Sequence, residues 1–205
     1  AAAIVHLRAC TTQSLKNLGA CMSKKASLAD PSKISAVDKK DRELIHVIIE
    51  TPSGSRNKYS YDEDDRIFVL KKVLPAGMTF PYTFGFVPST EAEDGDPIDV
   101  LALMDEPALQ GCLIKCRLIG VIEGEQGDGK KKERNDRLVA IEQNNHELAF
   151  IKHIDDLGKK FIEEVEKFFV NYHDMSGKKY RILDAKGPKE ARRRVRQCMR
   201  GGKNK

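Results

Sequence analysis

Apolar residues recur along this chain with two periods, and the change of period divides it. Leu44-Ile45-His46-Val47-Ile48-Ile49-Glu50 is rich in β-branched residues and predicts a strand. The stretch 51–55, with Pro52 and Gly54, predicts a turn. From Lys58 to Asp62 polar and aromatic residues alternate, which puts Lys58, Ser60 and Asp62 on one face of an extended segment. Asp64-Asp65-Arg66 turns the chain and Ile67-Phe68-Val69-Leu70 returns it as a β-hairpin. The segment 78–88 is aromatic, broken by two prolines and a glycine, and reads as an extended crossing of the core. Further strands are predicted over 100–104, 113–121 and 137–141, with 126–135 as an exposed loop carrying Lys130-Lys131-Lys132.

Beyond that point the period lengthens. Leu157, Phe161, Val165, Phe168 and Tyr172 fall four, four, three and four apart, which is one face of a helix. Asp155-Asp156 stands at its start, where acids suit the helix dipole, and Ser176-Gly177 ends it. A brief strand over 181–183 and a final helix from Lys189 to about Met199 complete the pattern. The sum is an α+β domain. Several short strands without crossover helices need closure or edge protection, so a small closed barrel is expected.

Composition narrows the classes. The hydrophobic fraction of 40% suits a packed core, and no run of 18 apolar residues predicts a membrane span. Five cysteines, at 10, 21, 112, 116 and 198, lack CxxC spacing. They favour free thiols, buried at Cys112 and Cys116, in a reducing compartment, and a cytoplasmic location is expected. The charge is uneven. Residues 188–205 carry eight basic side chains against Glu190, a local +7 where the whole chain sums to +5. This segment is expected to be a basic helix or tail, with nucleic-acid contact as the rival to a solvated face. The chain is basic before its first acid, Asp30, through Arg8, Lys16, Lys24 and Lys25. Residues 1–34 are read as a flexible extension, with 1–21 either an organelle-targeting remnant or a segment upstream of Met22. Residues 35–187 are then expected to form a single folded domain.

The chemistry concentrates in Glu93-Asp94-Gly95-Asp96-Pro97-Ile98-Asp99, four acids in seven residues opening onto the apolar 100–104 run. Carboxylates this close repel unless a proton or cation offsets them, so the stretch is either a hard-cation site or an acidic turn. Glu50 and the acids of 123–136 add carboxylates, while Lys58, Lys71, Arg137 and Lys178 stand near the same predicted strands. Many carboxylates with several cations suit an anionic, metal-complexed substrate, and a phosphoanhydride is the class that fits. Walker A and GxGxxG patterns are absent.

These residues carry a resemblance. Asp94-Gly95-Asp96-Pro97-Ile98-Asp99-Val100 matches the D-G-D-P-[ILV]-D-V signature of the family I soluble inorganic pyrophosphatases. Ile49-Glu50-Thr51-Pro52, Lys58-Tyr59, Phe80-Pro81 with Gly85 and Phe86, and Phe168-Phe169 leading to Tyr172 support it in order and spacing, over roughly residues 42–184. The resemblance implies an OB-like five-stranded closed β-barrel with flanking C-terminal helices. It implies Mg²⁺-dependent hydrolysis of pyrophosphate with several ions per site, Mn²⁺ being an alternative metal. It also implies a homo-oligomer, hexameric or dimeric. Asp94, Asp99, Glu50, Asp136 and Glu125 are then the expected metal acids, with Asp128 as an alternative to Glu125. Asp96 is the expected base for the attacking water, and Glu50 and Tyr172 are expected to assist catalysis. Lys58, Lys71, Arg137, Tyr172, His173 and Lys178 are expected to hold phosphate.

The chain departs from the best-known bacterial pattern. Ser60 replaces a glutamate, Lys71 an arginine, Phe80 and Phe84 tyrosines, and His173 a lysine. Asn135-Asp136-Arg137 stands for D-x-K with the aspartate one place late. Tyr82, sharing a face with Phe80 and Phe84 on an extended segment, is expected to bring its hydroxyl to the substrate, and Asp62 to stand in beside Ser60. The rival readings are a nucleic-acid-binding module built on the barrel, and a weakly active phosphate- or partner-binding descendant.

Overall fold

The structure is a computed structural model that describes residues 30–128 and 132–199. The expectations for residues 1–29, for Lys130 and Lys131, and for residues 200–205 lie outside this range. Among the described residues nine strands and two helices follow in order: β1 (Leu44–Thr51), β2 (Asn57–Asp62), β3 (Ile67–Val73), β4 (Thr83–Phe86), β5 (Asp99–Leu103), β6 (Leu113–Gly127), β7 (Lys132–Arg134), β8 (Arg137–Glu142), α1 (Gly158–Asp174), β9 (Lys179–Lys186) and α2 (Pro188–Cys198). The expected hairpin is β2–β3, and the expected helix face is α1, led by a 3-10 turn at Ile154–Leu157. Asp156 closes that turn by accepting from the N–H groups of Lys152 and His153, both at 2.9 Å.

The expectation of an OB-like five-stranded closed barrel is corrected. The main sheet has seven strands, in the order β1-β4-β5-β8-β6-β7, with β9 attached to β6, and β2–β3 is a separate two-stranded sheet. β1 pairs with β4 on one side and with the first residues of β6 on the other. The physical reason for the extra strands is the length of β6. Its apolar first half pairs with β1 and β8, as a short strand would. Its second half, Glu123 to Gly127, runs on to pair with β9 and β7. The polar residues there disguise a strand as a loop: within the expected loop, Gln126 and Gly127 belong to β6 and Lys132–Arg134 form β7.

Two apolar clusters fill the interior. One packs Phe80, Phe84, Ile119 and Ile141 of the sheet side against Phe161, Val165 and Phe169 of α1. The other packs Val47, Val100, Val121 and Leu138 against Ala191 and Val195 of α2. The basic C-terminal helix is thus seated on the sheet. Residues 30–34 also pack on the body: the Tyr61 hydroxyl donates to Asp30 at 3.2 Å, and the Ser89 hydroxyl to the Ile34 carbonyl at 2.9 Å. Cys116 is buried as expected, whereas Cys112 is exposed. Among the described residues no helix is long and apolar enough to cross a membrane.

Candidate active site

A cleft of about 990 Å³ opens between the acid loop, the β2 ribbon, α1 and α2. Each acid on its first wall is placed by a local device. Gly95 adopts φ +90°, which reverses the chain so that the Asp96 N–H reaches Asp94 Oδ1 at 3.2 Å. The loop is pinned beneath by Thr90, whose buried hydroxyl donates to the Val87 carbonyl at 2.6 Å and accepts from the Ile98 N–H at 3.1 Å. Asp99 opens β5, which runs parallel to β8 with Val100 opposite Leu138. That register sets Asp99 beside Arg137, with Oδ2 3.8 Å from Nε. Glu50 sits at a register shift of β1 between Ile49 and Thr51, and its side chain enters the cleft. Its Oε1 accepts from the Tyr61 N–H at 2.7 Å and the Ser60 hydroxyl at 3.2 Å.

The electrostatics of this wall call for positive charge. Burial raises the pKa of Glu50, opposed by Lys58 and the Tyr61 N–H, with Asp99 adding to the rise. Asp94 is also raised, first because the cleft wall strips part of its hydration, then through Asp96 and Asp99. A set of hard carboxylate oxygens that hold each other's protons is the donor chemistry suited to Mg²⁺. Asp94, Asp99 and Glu50 therefore fit such an ion. Among the described residues, though, no group of three acids, histidines or cysteines already stands at ligating geometry.

The cleft also carries cations and amides. Lys58, Gln126, Arg134, Asn135, Arg137, Tyr172, His173 and Arg194 line it. Arg137 is buried, donating from Nη1 to the Asn135 carbonyl at 3.1 Å and the Tyr180 hydroxyl at 3.2 Å. Asn135 Nδ2 donates to Gln126 Oε1 at 2.8 Å. His173 has Nε2 2.8 Å from that same oxygen and Nδ1 2.8 Å from the Phe169 carbonyl. Burial pushes the His173 pKa down to about 4, the Phe169 carbonyl opposing and Arg137, Lys178 and Lys72 adding to the fall. At neutral pH the ring is uncharged, and it braces Gln126 without adding positive charge.

Of the residues expected from sequence, the cleft gathers Glu50, Lys58, Asp94, Asp96, Asp99, Asp136, Arg137, Tyr172 and His173. It does not gather Lys71, Tyr82, Glu125 or Lys178. A register shift leaves Lys71 without a partner in β3, and Lys72 stands opposite Lys58, with Nζ 4.7 Å from the Tyr172 ring centroid. Tyr82 lies in a bend at Pro81-Tyr82 that breaks the alternation, and its ring packs on Phe161 of α1 with centroids 5.2 Å apart. Asp62 instead closes the hairpin turn, accepting from the Asp64 and Asp65 N–H groups at 3.1 Å. Glu125 is held by Lys132 at 3.1 Å and Arg181 at 3.0 Å. Gln126, Arg134, Asn135 and Arg194 line the cleft without being expected there. The shifted aspartate of Asn135-Asp136-Arg137 is the signal nearest the first three, and the basic 188–205 segment is the signal for Arg194.

Comparison with known proteins agrees with this architecture. The family model described as inorganic pyrophosphatase matches residues 47–203. An inorganic pyrophosphatase of Synechocystis is 35% identical over 160 residues, covering 78% of this chain and 92% of that protein. The crystal structure of the inorganic pyrophosphatase from Thermus thermophilus superposes with a TM-score of 0.77 at 32% identity, covering 86% of this chain and all of that one. The corresponding structure from Neisseria gonorrhoeae gives 0.75 at 27% identity, over 85% of this chain. A phosphohydrolase-type cleft on a mixed α+β sheet is the class that fold and site define. The chain belongs to the inorganic pyrophosphatase family.

Proposed function

We propose that this chain hydrolyses inorganic pyrophosphate to two orthophosphates with the help of divalent metal, Mg²⁺ being the ion its oxygen donors suit. The observation that carries this reading is the placement of Asp94, Asp96, Asp99 and Glu50 in one cleft with Lys58 and Arg137. Asp94, Asp99 and Glu50 would hold the metal. Bound there, it supplies charge to the phosphoanhydride oxygens and lowers the pKa of a coordinated water. Asp96, at the exposed tip of the loop, accepts the proton of the attacking water on a carboxylate oxygen. Lys58 and Arg137 take phosphate oxygens, and the Tyr172 hydroxyl donates a further hydrogen bond. Positioning and electrostatics are most of what phosphoryl transfer requires, so this set is sufficient. Asp136 and Glu125 are less suited to the metal, since arginine or lysine already neutralises each.

The exposed apolar side chains of Ile67, Leu70 and Val73 on β3 support a homo-oligomeric working form. The free thiols of Cys112 and Cys116 favour a reducing compartment such as the cytoplasm. The test is phosphate release from magnesium pyrophosphate by the wild type and by Asp96→Asn. We expect a loss of about 10²–10⁴ in rate for the variant, the usual contribution of a general base. Equal background rates in both proteins would defeat the reading.

A further inference from the structure

Of the arginines in α2, one is turned into the cleft. Ala191 and Val195 bury the helix against the sheet, and that orientation carries Arg194 to the cleft wall. Arg192 reaches away to Glu43 at 2.7 Å, and Arg193 pairs with Glu190. Arg194 donates from Nη2 to Glu123 at 2.9 Å and from Nε to Glu190 at 3.3 Å, and its Nη1 lies 3.3 Å from Asp136 Oδ2. Arg134 holds the same aspartate, with Nη2 2.9 Å from Oδ1, and the Gly124 N–H donates to that oxygen at 3.2 Å. Asp136 is therefore engaged on both oxygens by two guanidinium groups and an amide.

We propose that Arg194 is an anion-binding residue of this cleft, taking a phosphate oxygen of substrate or product, and that Asp136 is a positioning residue that aims Arg194 and Arg134. The identity of the anion rests on the pyrophosphatase reading above. The Nη1 contact to Asp136 is the weaker of that acid's two ion pairs. An arriving phosphate oxygen takes over this donor while Asp136 keeps Arg134, so this half-buried carboxylate is not left unpaired. Arg194 keeps Glu123 through Nη2 meanwhile, which holds the planar fork in orientation for a tetrahedral oxyanion. Arg194 thereby adds to Arg137 among the cations of the cleft, and the C-terminal helix becomes part of the site.

The experiment titrates inorganic phosphate into the full-length chain by calorimetry and measures pyrophosphate kinetics, for wild type, Arg194→Gln, Arg194→Lys and Arg192→Ala. Arg194→Gln is expected to weaken phosphate binding and raise KM about tenfold, the loss of one charged hydrogen bond, with kcat changed less than about threefold. Arg194→Lys should recover part of that loss, and Arg192→Ala should behave as wild type. Asp136→Asn should weaken phosphate binding several-fold yet leave the Mg²⁺ affinity, titrated separately, unchanged. Phosphate affinity in Arg194→Gln within twofold of wild type would overturn the proposal, as would a tenfold loss of Mg²⁺ affinity in Asp136→Asn. Should Arg194→Gln not fold, Arg194→Lys decides: a raised KM at constant kcat supports the proposal, and unchanged values overturn it. A wild type without hydrolysis would sink the pyrophosphatase reading, while the phosphate titration would still decide the role of Arg194.

Discussion

The guanidinium carbon of Arg137 lies 3.7 Å from the centroid of the Phe169 ring, sandwiching this buried cation between α1 and the cleft. The Tyr180 ring stands 5.2 Å away on β9, and its hydroxyl takes one donor. Arg137 Nε has no hydrogen-bond partner among the described residues and lies 3.8 Å from Asp99. A buried donor of this kind is stabilised by an oxyanion in the cleft. Arg137→Lys keeps the charge but loses the planar stacking and the fork. Steady-state kinetics should show KM raised about tenfold or more, since a guanidinium stacked on a ring and forked onto oxygens is not replaced by an ammonium. Parameters within twofold of wild type would assign Arg137 to packing alone.

Glu50 predicts a pH dependence of stability. Its folded-state pKa is raised by burial above the ordinary 4.5. Between those two values the native state holds a proton that the unfolded chain has lost, so its unfolding free energy falls as pH rises through the window. The penalty is complete above the folded pKa and absent below the unfolded one. Glu50→Gln can keep the contacts from Tyr61 and Ser60 on its amide oxygen without the buried charge. Its Tm should exceed wild type at pH 8, with the gap closing below pH 4. Turnover should fall nonetheless. A pH series of thermal melts on metal-free protein checks the sign; a gap that widens toward acid would contradict it.

Much of this site was legible because its acids are contiguous. Asp94, Asp96 and Asp99 share one loop, and a local motif survives any uncertainty about how strands pair. Glu50 and Lys58 could be read for the same reason, lying at or beside strand ends. The misreadings arose where backbone irregularity shifts a side chain by one place. The register shift between Lys58 and Tyr59 substitutes Lys72 for Lys71 beside Tyr172, and the bend at Pro81-Tyr82 turns Tyr82 toward Phe161. Neither shows in an alternation of residue types. Arg194 was hidden for another reason. In a helix with Arg192, Arg193, Arg194 and Arg196, only docking through Ala191 and Val195 decides which one faces inward. The closed five-stranded barrel failed with β6, whose polar second half builds the β7 and β9 pairings.

Metal should act on stability through the acid loop. A cation bound to Asp94 and Asp99 would offset the lost hydration that mainly raises Asp94, and the repulsion from Asp96 and Asp99 that adds to it, and it would favour the folded chain that brings these acids together. At a hundredfold excess over its dissociation constant it stabilises by about 2.7 kcal/mol, which for a chain of this size is several degrees in Tm. Chelation by EDTA should remove both that increment and hydrolysis. Asp94→Asn and Asp99→Asn should each lose most of the Mg²⁺-induced shift. An undiminished shift in both would move the metal elsewhere in the cleft.

The strand bearing Glu50 leaves no room for a side chain opposite it. Gly85 of β4 pairs with Ile49, and a Cβ there would stand 2.2 Å from the Ile48 carbonyl oxygen and 2.9 Å from Val47 Cγ1. The first contact is backbone and cannot rotate away, so β1 and β4 must separate. That movement would lengthen the ladder next to the register shift from which Glu50 enters the cleft. Gly85→Ala should therefore cost about 1–3 kcal/mol or more, the range for overpacking a filled interior, and lower Tm by several degrees. Turnover should fall as well, although Gly85 contributes no group to the chemistry. Gly54→Ala is the contrast: its Cβ meets nothing within 4 Å, and its strain comes from a φ of +78° in an outer turn. It should lose stability without comparable loss of turnover per folded molecule. Thermal melts and active-site-normalised rates on the two variants separate these effects. Equal kcat losses in both would mean that the β1–β4 spacing does not position Glu50.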